Sequence, residues 1–231
     1  MSTPTALVTG ASRGLGLALA TELNGRGWRL VVDARDAARL TAAVGRLPHP
    51  RRVIAITGDV ADPAHRAALA RAAGERLDVL VNNASDLGPT PLPPLTELHA
   101  DDLQRVLAVN TIAPLALVQA VLPALRAARG RILNISSDAA VEAYEGWGGY
   151  GASKAALDHL TAVLAVEHPE LRAYAVDPGD MATDMHRAAD PDASGLPAPE
   201  TGVPALLVLI DGNQPSGRYR AADLAPAEAT R

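Results

Sequence analysis

With 231 residues, 48% hydrophobic and 20% charged, the chain is sized for one domain, spanning 1–231, with a substantial core. Its formal net charge of −5 offers no cationic footprint for nucleic acid, and the absence of cysteine excludes disulfides, thiolate chemistry and cysteine-held metals. The start, Met1-Ser2-Thr3-Pro4-Thr5, lacks the basic segment and apolar run of a signal peptide, and no apolar stretch is read as membrane-spanning, so a cytoplasmic location is expected.

Short β-rich runs alternate with longer helical stretches. Leu7-Val8-Thr9 reads as a first strand, followed by a helix over Leu15 to Leu23 that ends near Gly25 and Gly27. Leu30-Val31-Val32 is a second strand, Asp36 to Val44 a helix, and Val53 to Ile56 a third strand. Asp62 is placed to cap a helix over Pro63 to Ala73. Val79-Leu80-Val81 is a fourth strand. Asp101 to Arg129 is a long helical region, with Pro114 and Pro123 as candidate bends or breaks. Arg131 to Ile135 is a fifth strand, Tyr150 to Val166 a helix stopped by His168-Pro169, and Leu171 to Val176 a sixth strand. Val203 to Ile210 reads as helical and Gly217 to Ala221 as a last strand.

Strands that are apolar throughout suit a sheet covered on both faces, and strict β-α alternation implies a parallel, doubly wound α/β sheet of about seven strands. The Pro-, Asp- and Ala-rich stretch 180–199 reads as a long loop, either functional, as a substrate loop, or disordered. The tail from Pro226 to Arg231 is expected to fray.

The chain has one lysine and twenty arginines, and that lysine closes Tyr150-Gly151-Ala152-Ser153-Lys154. On a helix, residues four apart share a face. A nearby ammonium favours a phenolate and lowers its pKa, so the pair suits proton transfer. Arginine is broader and differently hydrated, and does not replace a compact lysine freely. The second informative stretch is Thr9-Gly10-Ala11-Ser12-Arg13-Gly14-Leu15-Gly16, at the first strand–helix junction. Its glycines permit a tight turn, and the helix N-terminus offers free N–H groups to a pyrophosphate. The spacing is Gly-x-x-x-Gly-x-Gly, not Gly-x-Gly-x-x-Gly.

This spacing, together with Tyr150 and Lys154, resembles the short-chain dehydrogenase/reductase family from about Ala6 to Thr183, and more loosely to the end. Asp59-Val60 resembles that family's adenine contact, and Asn82-Asn83-Ala84 its signature bordering the cofactor. Asn110 matches its active-site asparagine, and Ser137 stands thirteen residues before Tyr150, as in the family. Pro178-Gly179, Met181 and Thr183 resemble the segment at the nicotinamide amide.

The resemblance implies a Rossmann-type fold and hydride transfer between a nicotinamide and a small or medium carbonyl or alcohol. Catalytic roles fall to Asn110, Ser137, Tyr150 and Lys154. Tyr150 is the acid in reduction and base in oxidation, helped by Lys154 and the cofactor's charge, since an unperturbed tyrosine has a pKa near ~10. Lys154 also holds the ribose, Ser137 donates to the substrate oxygen, and Asn110 holds a water for proton resupply. The cofactor set is Gly10, Ser12, Arg13, Gly14, Leu15, Gly16, Arg35, Asp59, Val60, Asn83, Ala84, Tyr150, Lys154, Pro178, Gly179, Met181 and Thr183; no metal is implied. Taken singly, Ser137 could cap a loop, Asn110 serve a helix bend, and Tyr150 fill a core.

Val31-Val32-Asp33-Ala34-Arg35 carries both an acid and a base near the end of the second strand. Asp33 falls one residue before the NAD-selecting position, Ala34, whereas Arg35 falls where NADP-preferring members carry a base. Arg13 is a second candidate for the 2′-phosphate. NADP(H) is favoured, with NAD(H) possible. The candidate substrate loops are acidic, through Asp86, Asp138, Glu142, Glu145, Asp180 and Asp184, beside Leu87, Tyr144, Trp147, Met181 and Met185. Most of these acids are expected to face water; a cationic substrate group is the other reading. The expected partner is a small carbonyl or alcohol, with neither nucleic acid nor membrane. The expected assembly is a homodimer or homotetramer through the long helices. The different functional class is a non-catalytic NADP-binding regulator on the same fold.

Overall fold

A computed structural model describes residues 3–224. The expectation of a frayed tail lies outside these residues. Seven parallel strands form one sheet in the order β3-β2-β1-β4-β5-β6-β7. They are β1 (Thr5–Val8), β2 (Arg29–Ala34), β3 (Val53–Thr57), β4 (Val79–Asn82), β5 (Arg131–Ile135), β6 (Arg172–Asp177) and β7 (Gly217–Arg220). The crossovers run through α1 (Gly14–Gly25), α2 (Ala37–Gly45), α3 (Pro63–Ala73), α4 (Ala100–Leu107), α5 (Ala113–Ala128), α6 (Gly148–Glu167), α7 (Asp184–Ala189) and α8 (Val203–Asp211).

Alternation along the strands builds two cores. Ala6, Val8, Leu30, Val32, Val79 and Val81 join Leu19 and Leu23 of α1, Leu40 of α2 and Leu206 of α8 on one face. Leu7, Val31 and Leu80 join Leu69 of α3 and Leu117, Val121 and Leu125 of α5 on the other. Each such fully buried Leu or Val contributes about 1.5–3 kcal/mol. The two edge strands depart from full coverage: Ile54 of β3 is 39% exposed, and no residue of β7 is fully buried.

The long helical region runs unbroken from Ala100 to Ala128, but its bend is a π turn at Ala108–Ile112, ahead of Pro114. The Ala113 amide reaches back five residues to the Ala108 carbonyl, and Pro114 has no amide to give the Asn110 carbonyl four residues behind it. Pro123 sits inside α5 without ending it. This 29-residue helix, with mean hydropathy 1.8 over its most apolar window, corrects the reading that no apolar stretch is long enough to span a membrane. Half of that window is buried in the protein, where Leu117, Val121 and Leu125 pack on the sheet. The 180–199 loop also holds a helix absent from the sequence reading, α7, whose N-cap Thr183 accepts from the His186 amide.

Candidate active site

The carboxyl ends of the strands open into one cleft of about 590 Å³. Every candidate catalytic and cofactor residue lines it except Gly16 and Asn110, which contact the lining residues Asn83 and Ser85; of the substrate-loop candidates, Asp86, Leu87, Glu142, Tyr144 and Glu145 do not line it. The turn after β1 is laced to β4. Thr9 Oγ1 accepts from the Asn83 and Ala84 amides, each at 3.0 Å, and Asn83 Nδ2 donates to the Thr9 carbonyl at 2.8 Å. Gly10 has φ +67°, and a Cβ there would sit 2.9 Å from Ala84 Cα. A Cβ on Gly16 would meet Asn83 Nδ2 at 2.4 Å. The turn is thus a cradle of bare backbone at the start of α1, shaped for an anionic group. Behind it, Asn82 Nδ2 donates to Asn134 Oδ1 at 2.8 Å and Asn134 Nδ2 to Thr161 Oγ1 at 2.7 Å, tying β4, β5 and α6 together.

At the other end of the cleft Tyr150 and Lys154 share one face of α6. Lys154, 2% exposed, donates from Nζ to the Ile135 carbonyl at 2.8 Å. Burial brings its pKa down to about 8, against a smaller opposing pull from Asp158. Burial pushes Tyr150 up to about 12, with the Ser85 hydroxyl pulling the other way and Asp138 adding to the rise. A lowered phenol is therefore not a property of the protein alone: loss of hydration outweighs the hydrogen bonds of the Ser85 and Ser137 hydroxyls.

Ser137 Oγ donates to Asp138 Oδ1 at 2.9 Å and accepts from the Ala139 amide at 3.2 Å. It thus caps the short turn Asp138–Ala140 while lining the cleft. Burial raises the Asp138 pKa, but hydrogen bonds from Tyr144, Ser137 and the Ala139 amide outweigh it, so the carboxyl is held below its ordinary value. Asn110 is saturated: Oδ1 accepts from Ser85 Oγ (3.1 Å) and the Asp86 amide (2.7 Å), and Nδ2 donates to the Asp86 carbonyl (2.8 Å) and Ser153 Oγ (2.9 Å).

Three arginines gather where β2 and α2 meet the cleft: Arg13, Arg35 and Arg39. Arg13 and Arg39 both pair with Asp184 of α7, the latter at 3.4 Å, and Arg35 lies 4.0 Å from Asp86. Asp33 also borders the cleft, but it is only 1% exposed. Asp59 folds onto the Ala61 amide at 2.9 Å beside the buried Val60.

The loop acids are largely partnered. Asp86 also takes Arg105 at 3.1 Å, Asp180 lies 3.6 Å from His186, Asp184 takes Arg187, and Asp138 accepts from Tyr144. Of these acids, Asp86 and Asp184 are matched by arginines remote in the chain, and Asp138 and Asp180 by partners close in sequence.

Several residues of the site were not legible. Ser85 touches Asn110, Arg39 joins Arg13 and Arg35, and Arg218 of β7 donates to the Ser137 carbonyl at 2.9 Å while pairing with Asp158 at 2.9 Å. Only Arg39 left a signal, one helical turn beyond Arg35; the others depend on contacts between distant segments.

A family model described as short chain dehydrogenase matches residues 4–194. The short chain dehydrogenase asqE of Emericella nidulans is 40% identical over 174 residues, covering 71% of this chain and 64% of that protein. A rhamnolipids biosynthesis 3-oxoacyl-[acyl-carrier-protein] reductase of Pseudomonas aeruginosa is 33% identical over 96% of this chain and 94% of its own. The crystal structure of a short chain dehydrogenase from Shigella flexneri complexed with NADP superposes with a TM-score of 0.88 at 27% identity, covering 96% of this chain and 98% of that one. Sheet order, cleft and matched sequence therefore agree, and the chain belongs to the short chain dehydrogenase family of nicotinamide-dependent oxidoreductases.

Proposed function

We propose that the protein is an NADP(H)-dependent reductase of a small or medium carbonyl compound, running as an alcohol dehydrogenase in reverse. The observation that carries this reading is the layout of one cleft: three arginines at the β2–α2 end and Tyr150, Lys154 and Ser137 at the β5–α6 end.

A nicotinamide cofactor supplies or accepts the hydride when bound. The bare backbone around Gly10, Ser12, Gly14 and Leu15 suits its pyrophosphate, with Gly16 letting α1 approach Asn83. Asp59, Val60, Asn83 and Ala84 line the cleft on the adenosine side, and Pro178, Gly179, Met181 and Thr183 on the nicotinamide side. Arg13 and Arg35 read the 2′-phosphate, joined by Arg39; fixed guanidinium donors suit a phosphate better than a diol.

In reduction Ser137 donates from Oγ to the substrate oxygen, which requires its hydroxyl to turn from Asp138. Tyr150 gives its phenolic proton to the same oxygen as negative charge develops there. Lys154 stabilises the phenolate left behind and holds ribose hydroxyls. Proton resupply passes Asn110. Since its side chain is fully bonded and Pro114 leaves its carbonyl without an α-helical partner, that carbonyl is the place for the relaying water. Met181, Met185 and Trp147 supply apolar contact to the substrate body.

The protein acts in the cytoplasm on a small molecule, without nucleic acid or membrane. It assembles as a homodimer or homotetramer through α4–α5 and α6, where Ile112 and Val166 are 58% and 81% exposed. The test is loss of NADPH and NADH absorbance over a panel of carbonyl compounds, with Tyr150→Phe as control. A higher kcat/KM with NADPH, abolished by that substitution, is expected; equal use of NADH overturns the NADP assignment.

A further inference from the structure

Asp33 is the acid nearest the expected diol-binding position, yet its side chain is committed elsewhere. Oδ1 accepts from the Gly10 amide at 2.7 Å, and the Asp33 carbonyl accepts from the Ala11 amide at 2.9 Å. One residue of β2 therefore holds two successive amides of the turn after β1. The other oxygen, Oδ2, accepts from His65 Nε2 at 2.9 Å. Asp33 is 1% and His65 6% exposed. The His65 ring lies directly against Gly58, where a Cβ would sit 2.2 Å from Nδ1. Gly58 leads into Asp59 and Val60, and all three line the cleft.

We infer that Asp33 and His65 are positioning residues for the dinucleotide. They lock the phosphate turn and link it to the Gly58–Val60 wall, so that the two surfaces holding the adenosine diphosphate half of a cofactor are set as one unit. Gly10 adopts φ +67°, and its half-buried amide has Asp33 as its acceptor. A carboxylate is the strongest acceptor available to it, and a charged acceptor shortens and stiffens the bond. A carboxylate this deep needs its second oxygen satisfied too, and His65 does that from α3. With Asn83 holding the Thr9 carbonyl from the β4 side, the turn is gripped through its amides by β2 and through its carbonyl by β4. Because Asp33 is only 1% exposed and both carboxylate oxygens are engaged by the protein, it does not reach out to a ribose diol, and it acts alike on NADPH and NADH. The inference rests on cofactor binding at this turn and is independent of which nicotinamide is preferred.

Equilibrium binding of NADPH and of NADH, followed by cofactor fluorescence on the full chain, tests it. Asp33→Ala is expected to raise both Kd values by a common factor of roughly tenfold or more, leaving their ratio as in wild type. Asp33→Asn keeps an acceptor for Gly10 and is expected to restore both to within about threefold of wild type. His65→Ala leaves the Gly10 bond but frees the carboxylate, and should raise both by a smaller common factor. Arg35→Ala is the contrast, raising Kd for NADPH alone. The wild-type ratio of the two Kd values reports on cofactor preference separately from these common shifts. If Asp33→Ala fails to fold, His65→Ala decides. Unchanged Kd values in the folded variants, or a change confined to one cofactor, overturn the inference.

Discussion

Lys154 Nζ lies 5.4 Å from the centre of the Tyr150 ring and, 2% exposed, is bonded at 2.8 Å to the carbonyl of Ile135. That pocket is sized for an ammonium on a narrow stem, and a guanidinium is wider and planar. Lys154→Arg is therefore expected to lower kcat by about 100-fold or more, a loss on the scale of general acid–base catalysis. Steady-state kinetics would check this, and activity near wild type would show that the lysine has no special place.

The pH profile follows from the same pair. Tyr150, up at about 12, stays protonated as an acid across the working range, whereas Lys154, down at about 8, does not stay charged. Reductive kcat/KM should hold level below pH 8 and fall above it, as loss of the ammonium removes support for the developing phenolate. The stability effect has the opposite sense. A buried ammonium with a depressed pKa costs stability below about 8, and that cost is relieved as pH rises toward the ordinary lysine value of 10.5. Profiles of kcat/KM and of Tm between pH 6 and 10 should therefore diverge above 8; a parallel fall assigns the kinetic limb to unfolding.

Cofactor choice should respond to Arg13→Ala and Arg35→Ala. A lost charged hydrogen bond to phosphate corresponds to roughly tenfold or more in affinity, so KM for NADPH should rise by that factor in each variant while KM for NADH stays put. A matching rise for both cofactors would mean that these arginines do not read the 2′-phosphate.

Asp184 partly neutralises Arg13 and Arg39 from the far side of the cleft. Both of its partners are half exposed, and such pairs are worth at most about 1 kcal/mol. Asp184→Asn should thus lower KM for NADPH by no more than about fivefold, with Tm nearly unchanged. A weakened grip on NADPH would instead give Asp184 a supporting part in binding.

Pro114→Ala restores an amide four residues beyond Asn110, where an α-helical bond can compete with the π turn. Tm is expected to hold or rise while kcat falls about tenfold, since Asn110 would shift against Ser85, Asp86 and Ser153. Unaltered kcat would show that the turn has no bearing on turnover.

Much of this protein is written locally. Apolar triplets such as Leu30-Val31-Val32, the cap Asp62 ahead of Pro63, and the glycines after β1 each act within a few residues, so strands, helix starts and the phosphate turn could be read in order. The spacing of Ser137, Tyr150 and Lys154 was equally plain, because one helix and one strand end carry all three. What the chain alone decided, then, was a parallel α/β sheet with a turn for phosphate and a tyrosine–lysine pair. Tertiary structure decided how charges separated in sequence are matched. Asp33 stands two residues before Arg35, yet its carboxylate is buried against Gly10 and His65, whereas Arg35, just past the end of β2, is more than half exposed at the cleft. It also decided that Arg13 and Arg39 meet Asp184, that Ser85 meets Asn110, and that burial raises the Tyr150 phenol. Hydration and distance in space set those balances, and neither is visible until the sheet brings its strand ends together.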